Sequence, residues 1–407
     1  MIYVLSKFGK PLMPTERAGW VRRALRSGMA KVVRRTPFTI QLLYDSTEYI
    51  QEITLGVDAG SKFIGLSATT EQKEVFAAEV QLRTDIVDLL STRKSLRRTR
   101  RNRKTRYRKV RFFNRKKPKG WLAPSVRWKI EAHKRIIRFV HKILPISKII
   151  VETAQFDIQK IKNPDIQGEQ YQLGDQLGFA NVREYVLYRD GHKCQLCGKS
   201  KIKLHVHHIE SRKTGGDSPG NLVTLCLDCH DKVHAGTKQL KKRRGASFRD
   251  ATGMVIMRPT LLKELREEYS VVEEIFGYAT KEIRRRHSFE KSHINDARCI
   301  GGNLPARLSR PFAVRFVRRH NRQIHKMKTL KGGVRKLNQS PRYVFGFQLF
   351  DKVEFKGQEC FIFGRRQSGK FDVRLLNGNS VSTCANYKKL RLLESSTGKI
   401  FQLFPVF

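Results

Sequence analysis

The sequence predicts an α/β protein assembled from several segments, with a small N-terminal α+β unit and a β-rich C-terminal portion. Three observations predict it. Residues 53–82 contain ITLGVDAG, KFIGLSAT and EVFAAEVQL in succession, which read as a meander of strands. KIIVE at 148–152 reads as a buried strand ending in a carboxylate. From Tyr343 onward, short alternating strands separated by Gly and Asn turns suggest a small β-barrel.

The remaining elements follow in order. At a soft prior of about 150 residues per domain, 407 residues give two or three domains. No internal repeat is visible, which sets solenoids and propellers aside. Ile2–Leu5 form a short strand, followed by Pro11-Leu12-Met13-Pro14; Thr15 is placed as the N-cap of a helix ending near Gly28. Residues 38–43 read as a strand, and Asp58 ends the next one. Residues 93–119 hold 16 Lys or Arg and no acid. Ser125 is placed as the cap of a helix with apolar positions 126, 130, 137, 140 and 144 on one face, stopped by Pro145. Residues 158–180 and 241–260 read as linkers, 271–279 as a strand, and 290–302 as a helix carrying His293 and Asp296. Residues 305–340 are basic again, with 11 Lys or Arg between 307 and 336 and no acid.

Charge narrows the function. With 83 Lys and Arg against 36 Asp and Glu, the net charge is +47, a self-repulsion that a polyanion relieves. The pI near 10.5 points to nucleic acid. No apolar run approaches the roughly 20 residues needed to span a bilayer, and the opening residues lack the pattern of a secretory signal, so no membrane partner is expected. A small-molecule metabolic enzyme would gain nothing from such a charge. Seven cysteines, an odd number, fit a reducing compartment and a cytoplasmic location, with Cys299, Cys360 and Cys384 scattered.

The other four cysteines form two C-x-x-C pairs, Cys194/Cys197 and Cys226/Cys229, which match the tetrahedral needs of a structural Zn2+. The 28 residues between the pairs exceed the usual ribbon spacing. They contain His205, His207, His208 and Asn221, and His230 follows the last cysteine. A plain zinc finger leaves Asn221 and the adjacent His207-His208 unexplained. His205 and His234 are placed as structural or solvent-facing. A second set is Asp58, Glu152 and Asp296, 94 and 144 positions apart, each at the end or start of an expected element. Carboxylates converging from separate elements are what two divalent metals on a phosphodiester need.

The run LHVHHIES…NLVTLC-x-x-CH resembles the HNH endonuclease motif on its ββα-metal fold. By that resemblance His208 is the general base, His207 and His230 hold one divalent metal, and Asn221 orients the His208 ring. GVDAGSKFIGLS, IIVE and HINDA, in that order, resemble the split RuvC nuclease domain of RNase H-like fold. Asp58, Glu152 and Asp296 are then ligands of Mg2+ or Mn2+, with His293 near the attacking water. The whole order resembles the IscB family, transposon-encoded RNA-guided nucleases related to the CRISPR type II effectors. The resemblance divides the chain into a PLMP domain (1–50), RuvC-I (51–84), an arginine-rich bridge helix (85–120), RuvC-II (121–165), HNH with zinc knuckles (181–245), RuvC-III (255–304), and a basic linker with a β-rich domain (305–407) that contacts guide RNA and the target-adjacent motif (TAM). Arg93, Arg97, Arg98, Arg100, Arg101, Arg103, Arg106 and Arg108 are the expected nucleic-acid contacts. The implied partners are a non-coding guide RNA (omega RNA) and target double-stranded DNA, with the protein monomeric in the ribonucleoprotein. HNH is expected to cut the guide-paired strand and RuvC the displaced strand. The other readings are an unguided HNH homing or structure-specific DNA endonuclease, and a non-catalytic RNA-binding protein with decayed sites.

Overall fold

The computed structural model describes residues 1–102, 120–153, 179, 181–211, 219–240, 249–318, 328–329, 335–336 and 341–404. The chain divides into one compact unit of Met1–Gln155 with Gly253–Phe407, and a second of Phe156–Thr252. In the first unit, strand β1 (Tyr3–Leu5), helix α1 (Ala18–Arg26) and strands β2 (Ala30–Arg34) and β3 (Thr39–Leu42) build a small α+β layer with strand order β1-β3-β2. Leu12 of the PLMP string is buried there with Val4, Val21, Ile40 and Leu42. Thr15 does not cap α1. It pairs with Ile2 in an antiparallel bridge, and Arg17 takes the cap position.

Strands β4 (Thr54–Ala59), β5 (Phe63–Thr69) and β6 (Glu74–Gln81) form the expected antiparallel meander. They are buried on both faces, which is why they read as almost continuous apolar runs. Helix α2 (Ile86–Asn102) leaves β6, and helix α3 (Pro124–His141) begins on Pro124, with Ala123 rather than Ser125 at the cap. Proline suits this place because its missing N–H has no partner in a first turn. On α3, Ile130, Ile136, Ile137 and Val140 are fully buried; truncating such a side chain to Ala costs about 2–5 kcal/mol. Strand β7 (Lys148–Thr153) returns parallel to β4.

The second unit contains helix α4 (Val182–Arg189), the antiparallel strands β8 (Leu204–His208) and β9 (Leu222–Cys226), and helix α5 (Leu227–His234). Asn181 caps α4 by accepting from Glu184 N at 3.0 Å.

Helix α6 (Arg249–Arg266) occupies much of the stretch expected to be a linker at 241–260. Met254, Met257, Leu261, Leu262 and Leu265 make its buried face, in spite of Pro259 inside it. Strand β10 (Val272–Phe276) pairs parallel with β7 and is shorter than the expected 271–279, because helix α7 (Gly277–Arg286) starts at Gly277. Helix α8 (His293–Gly301) is capped by Ser292, whose Oγ accepts from Asn295 N at 3.1 Å, and ends at Gly302 with φ +79°.

Strand β11 (Phe312–Phe316) lies within the expected basic linker yet pairs parallel with β6. Two short strands, β12 (Lys328–Thr329) and β13 (Arg335–Lys336), pair with each other. The C-terminal portion is an open sheet rather than a barrel: β14 (Lys352–Phe355), β15 (Gln358–Arg365), β16 (Lys370–Arg374), β17 (Ser380–Asn386) and β18 (Arg391–Glu394), in the order β17-β16-β15-β14-β18. The last strand, β19 (Lys399–Leu403), leaves it to pair antiparallel with β11. The large sheet is therefore β10-β7-β4-β5-β6-β11-β19, and its first five strands, split in sequence, have the order expected of an RNase H-like sheet. The expected linker at 158–180 lies outside the described residues apart from Phe179. Among the described residues no helix is long and apolar enough to cross a membrane.

Candidate functional site

Helix α8 rests directly on the large sheet. A Cβ at Gly65 would lie 1.8 Å from the His293 carbonyl oxygen, and one at Gly56 would lie 2.2 Å from the Ala297 carbonyl oxygen. These two glycines of GVDAGSKFIGLS are what let the helix approach the strands. A buried pair fixes it further: Glu74 on β6 accepts two bonds of 2.9 Å from Arg298 on α8 and one of 2.7 Å from Ser67 Oγ.

His293 Nδ1 donates to Asp58 Oδ2 at 2.6 Å, since a carboxylate only accepts. That bond raises the His293 pKa above its ordinary value. The ring also stacks on Phe63, with centroids 5.5 Å apart. Arg284 on α7 pairs with Asp296 Oδ1 at 2.6 Å. Buried Arg258 on α6 donates to the Ala59 carbonyl at 3.2 and 3.1 Å and faces Glu152 Oε1 at 3.6 Å. Glu152 is pushed up by burial and then by the charge of Asp58; Asp296 is pushed up by burial, with Arg284 acting in the opposite direction. His133 on α3 is fully buried, accepts no charge readily, and sits at about 4, held down by burial.

The structure thus gathers Asp58, Glu152, His293 and Asp296 from β4, β7 and α8. It gives each carboxylate a cationic or imidazole partner rather than drawing the three into one tight donor cluster. An all-oxygen donor set suits Mg2+ or Mn2+, and the Asp58 charge, which adds to burial in raising Glu152, is what such an ion relieves. Sequence reading missed Arg258, Arg284 and His133, because nothing local marks a lone Arg or His as facing a carboxylate far away in sequence.

In the second unit, the ligand atoms of Cys194, Cys197, Cys226 and Cys229 lie within 4.8 Å of one another. Tetrahedral Zn–S bonds of about 2.3 Å place sulfurs about 3.8 Å apart, and Cys197 Sγ lies 3.7 Å from Cys226 Sγ. The donor set fits zinc.

A second cluster is His207, His230 and His234, again within 4.8 Å. His234, placed from sequence as structural or solvent-facing, also joins this cluster. It is exposed, but its ring is 4.5 Å from that of His230 and 4.9 Å from that of His207. The signal was in the sequence: residues four apart on a helix share a face. Burial and the neighbouring histidines hold His207 down at about 4, so it stays neutral and able to ligate at neutral pH. Three imidazoles suit transition metals better than Mg2+. Strand alternation turns His208 to the face of β8 opposite His207. Asn221 is fully buried, accepting from Glu210 N at 2.9 Å and donating to Glu210 O at 3.0 Å. Its amide therefore secures the turn after His208 through the backbone.

On α2, Arg93, Arg97 and Arg98 are exposed and Arg100 and Arg101 lie in the helix, whereas Arg103, Arg106 and Arg108 fall outside the described residues.

Comparison with known proteins matches residues 2–174 to the family described as RRXRR protein and residues 194–236 to HNH endonuclease. Residues 97–101 spell RRTRR. The uncharacterized protein YisB of Bacillus subtilis (strain 168) is 38% identical over 42 residues, 10% of this chain and 41% of that protein. Two structures of Streptococcus thermophilus Cas9 are similar: one in complex with AGGA PAM (16% identity, 45% of this chain and 26% of that chain, TM-score 0.31), the other with GGAA PAM (16%, 46% and 26%, TM-score 0.32). The chain thus spans 41% of the YisB length and 26% of each Cas9 chain. An RRXRR segment followed by an HNH endonuclease module is the domain order of an IscB-like nuclease, the resemblance that the sequence carries.

Proposed function

We propose that this nuclease is an RNA-guided endonuclease of double-stranded DNA, in which the HNH unit cuts the guide-paired strand and the RuvC-like site cuts the displaced strand. One observation supports the reading: three imidazoles converge in one unit, while Asp58, Glu152 and Asp296 belong to the other. Two sites of different chemistry suit separate cuts on strands of opposite polarity. The net charge of +47 and the exposed arginines of α2 support binding to a large polyanion. A guide that reads sequence by base pairing leaves the protein to read backbone shape and a short flanking motif, here the TAM.

In the HNH unit, His207, His230 and His234 would hold a divalent ion, which would supply charge neutralisation at the scissile phosphate. His208 accepts the proton of the attacking water. Asn221 holds the turn that follows it, and the four cysteines fix β9 and α5 around zinc. At the other site, Asp58, Glu152 and Asp296 would hold Mg2+ or Mn2+. Asp58 also holds the Nδ1–H of His293, which leaves Nε2 to face water.

The test is purification of the full chain from cells carrying its flanking DNA, followed by sequencing of the bound RNA. One discrete non-coding RNA, with cleavage only of DNA matching its guide and bearing a TAM, is the expected result. Cutting without RNA overturns guidance in favour of an unguided HNH endonuclease. RNA binding with no cutting under any divalent metal overturns the enzymatic reading.

A further inference from the structure

The C-terminal sheet carries a ring in an expensive place. Val344 and Phe347 exchange backbone hydrogen bonds of 3.0 and 3.1 Å around a two-residue turn, with φ +50° at Phe345 and +80° at Gly346. A turn with both central φ positive favours Asn-Gly, and a bulky residue at the first of these positions is strained. The surroundings impose it. Arg365 donates to the carbonyls of Pro341, Arg342 and Phe347, which clamps the hairpin. The strain puts the Phe345 ring flat on Tyr387, with centroids 4.1 Å apart and planes 11° from parallel. Gly369 backs Tyr387 so closely that a Cβ there would meet its ring at 2.9 Å. Phe345 nevertheless remains 47% exposed. Packing alone does not account for it, and strain held against the local preference of a turn is a mark of function.

The rim identifies the occupant. Segments 341–347, 364–371 and 384–391 meet at this stack and hold seven Lys or Arg, among them exposed Arg342, Arg366, Lys388 and Lys389, and no Asp or Glu. A flat open ring edged by cations fits a base with its phosphate, whereas a protein partner needs no such one-sided charge. We propose that the outer face of Phe345, backed by Tyr387, is a stacking platform for an unpaired nucleobase of the bound RNA. This rests on the reading of the chain as RNA-binding.

The test uses the full chain and a short unstructured oligoribonucleotide, at raised salt so that counterion-dependent binding elsewhere is suppressed. Phe345→Asn removes the ring while meeting the turn's own preference, so the variant stays folded and melts no lower than the parent. Its affinity falls about tenfold or more, the scale of one lost base stack. A 5-iodouridine-substituted oligoribonucleotide, irradiated on the parent protein, crosslinks within 343–347 or at Tyr387, and Phe345→Asn abolishes that crosslink. Equal affinity of parent and variant, or crosslinks mapping only elsewhere, overturns the platform while leaving RNA binding intact. A parent protein that binds no RNA at all overturns the underlying reading instead. The same oligodeoxyribonucleotide separates the sources: loss with DNA alone overturns the assignment to RNA.

Discussion

Asp58, at the end of β4, and His293, at the start of α8, share a hydrogen bond of 2.6 Å across 235 positions of sequence. The bond depends on how closely α8 approaches the sheet, and Gly65 sets that distance. Gly65→Ala puts a Cβ into the His293 carbonyl and forces the helix away. Cutting of the displaced strand is expected to fall at least tenfold in this variant while cutting of the guide-paired strand persists. DNA labelled separately on each strand reads both at once.

The same assay separates the two sites directly. Asp58→Ala is expected to nick only the guide-paired strand, and His208→Ala only the displaced strand. If either change abolished both nicks while RNA and DNA stayed bound, the assignment of one site to each strand would be wrong.

Zinc removal gives a structural counterpart. Cys194→Ser takes one of four thiolates from a set whose binding energy is folding energy. Elemental analysis is expected to show zinc lost from the purified variant, with loss of guide-paired cutting and with the large sheet retained. A zinc content equal to that of the parent protein sinks the structural-zinc assignment.

His234 tests the imidazole cluster. His234→Ala leaves His207 and His230 in place, so two ligands remain where three converge. Calorimetric titration with Mn2+ or Co2+ is expected to show affinity reduced by tenfold or more, while zinc in the cysteine site stays at the parent level. An unchanged affinity would return His234 to the solvent-facing role its exposure alone indicates.

What the sequence made legible was what is spelled locally. Asp58, Glu152 and Asp296 each close or open an element whose apolar pattern is visible by itself, and the C-x-x-C pairs state their chemistry by spacing. The C-terminal strand β19 could not be read in this way. Its pattern says that Lys399–Leu403 is extended, but its choice of β11 over the neighbouring β18 is made by tertiary packing. Helix α6 was hidden by Pro259 and by flanking basic residues, although Met254, Met257, Leu261 and Leu265 keep helical spacing. Arg258 and Arg284 look like any other cations among 83; only the fold shows that they face carboxylates.

His141 makes stability depend on pH. It stacks on Tyr269 at 4.2 Å, and burial lowers its pKa from 6.5 to about 4. Between those values the unfolded chain binds a proton that the folded chain does not, so stability falls as pH drops through this window and levels off below it. His141→Phe keeps the stack and removes the titration. Thermal melts at pH 8 and pH 5 are expected to show the variant gaining on the parent at the lower pH by on the order of 2 kcal/mol. An equal pH response in both proteins refutes the assignment.

The arginine-rich helix gives the last prediction. Arg97, Arg98, Arg100 and Arg101 lie in α2, and the exposed Arg97 and Arg98 have no acidic neighbour in residues 93–119. Bound along RNA, each cation that neutralises a phosphate releases counterions and adds about 0.7 to 0.9 to the slope of log affinity against log salt. Changing the four to Ala keeps the helix, since Ala is the strongest helix former. Guide affinity is expected to fall, and the salt slope to flatten by up to about 3. Neither nuclease site is touched, so cutting recovers once guide RNA is saturating. A tract that merely keeps the protein soluble would leave affinity and slope alone. An unchanged slope in the variant therefore rules out α2 as the RNA-binding bridge, whatever the absolute affinity does.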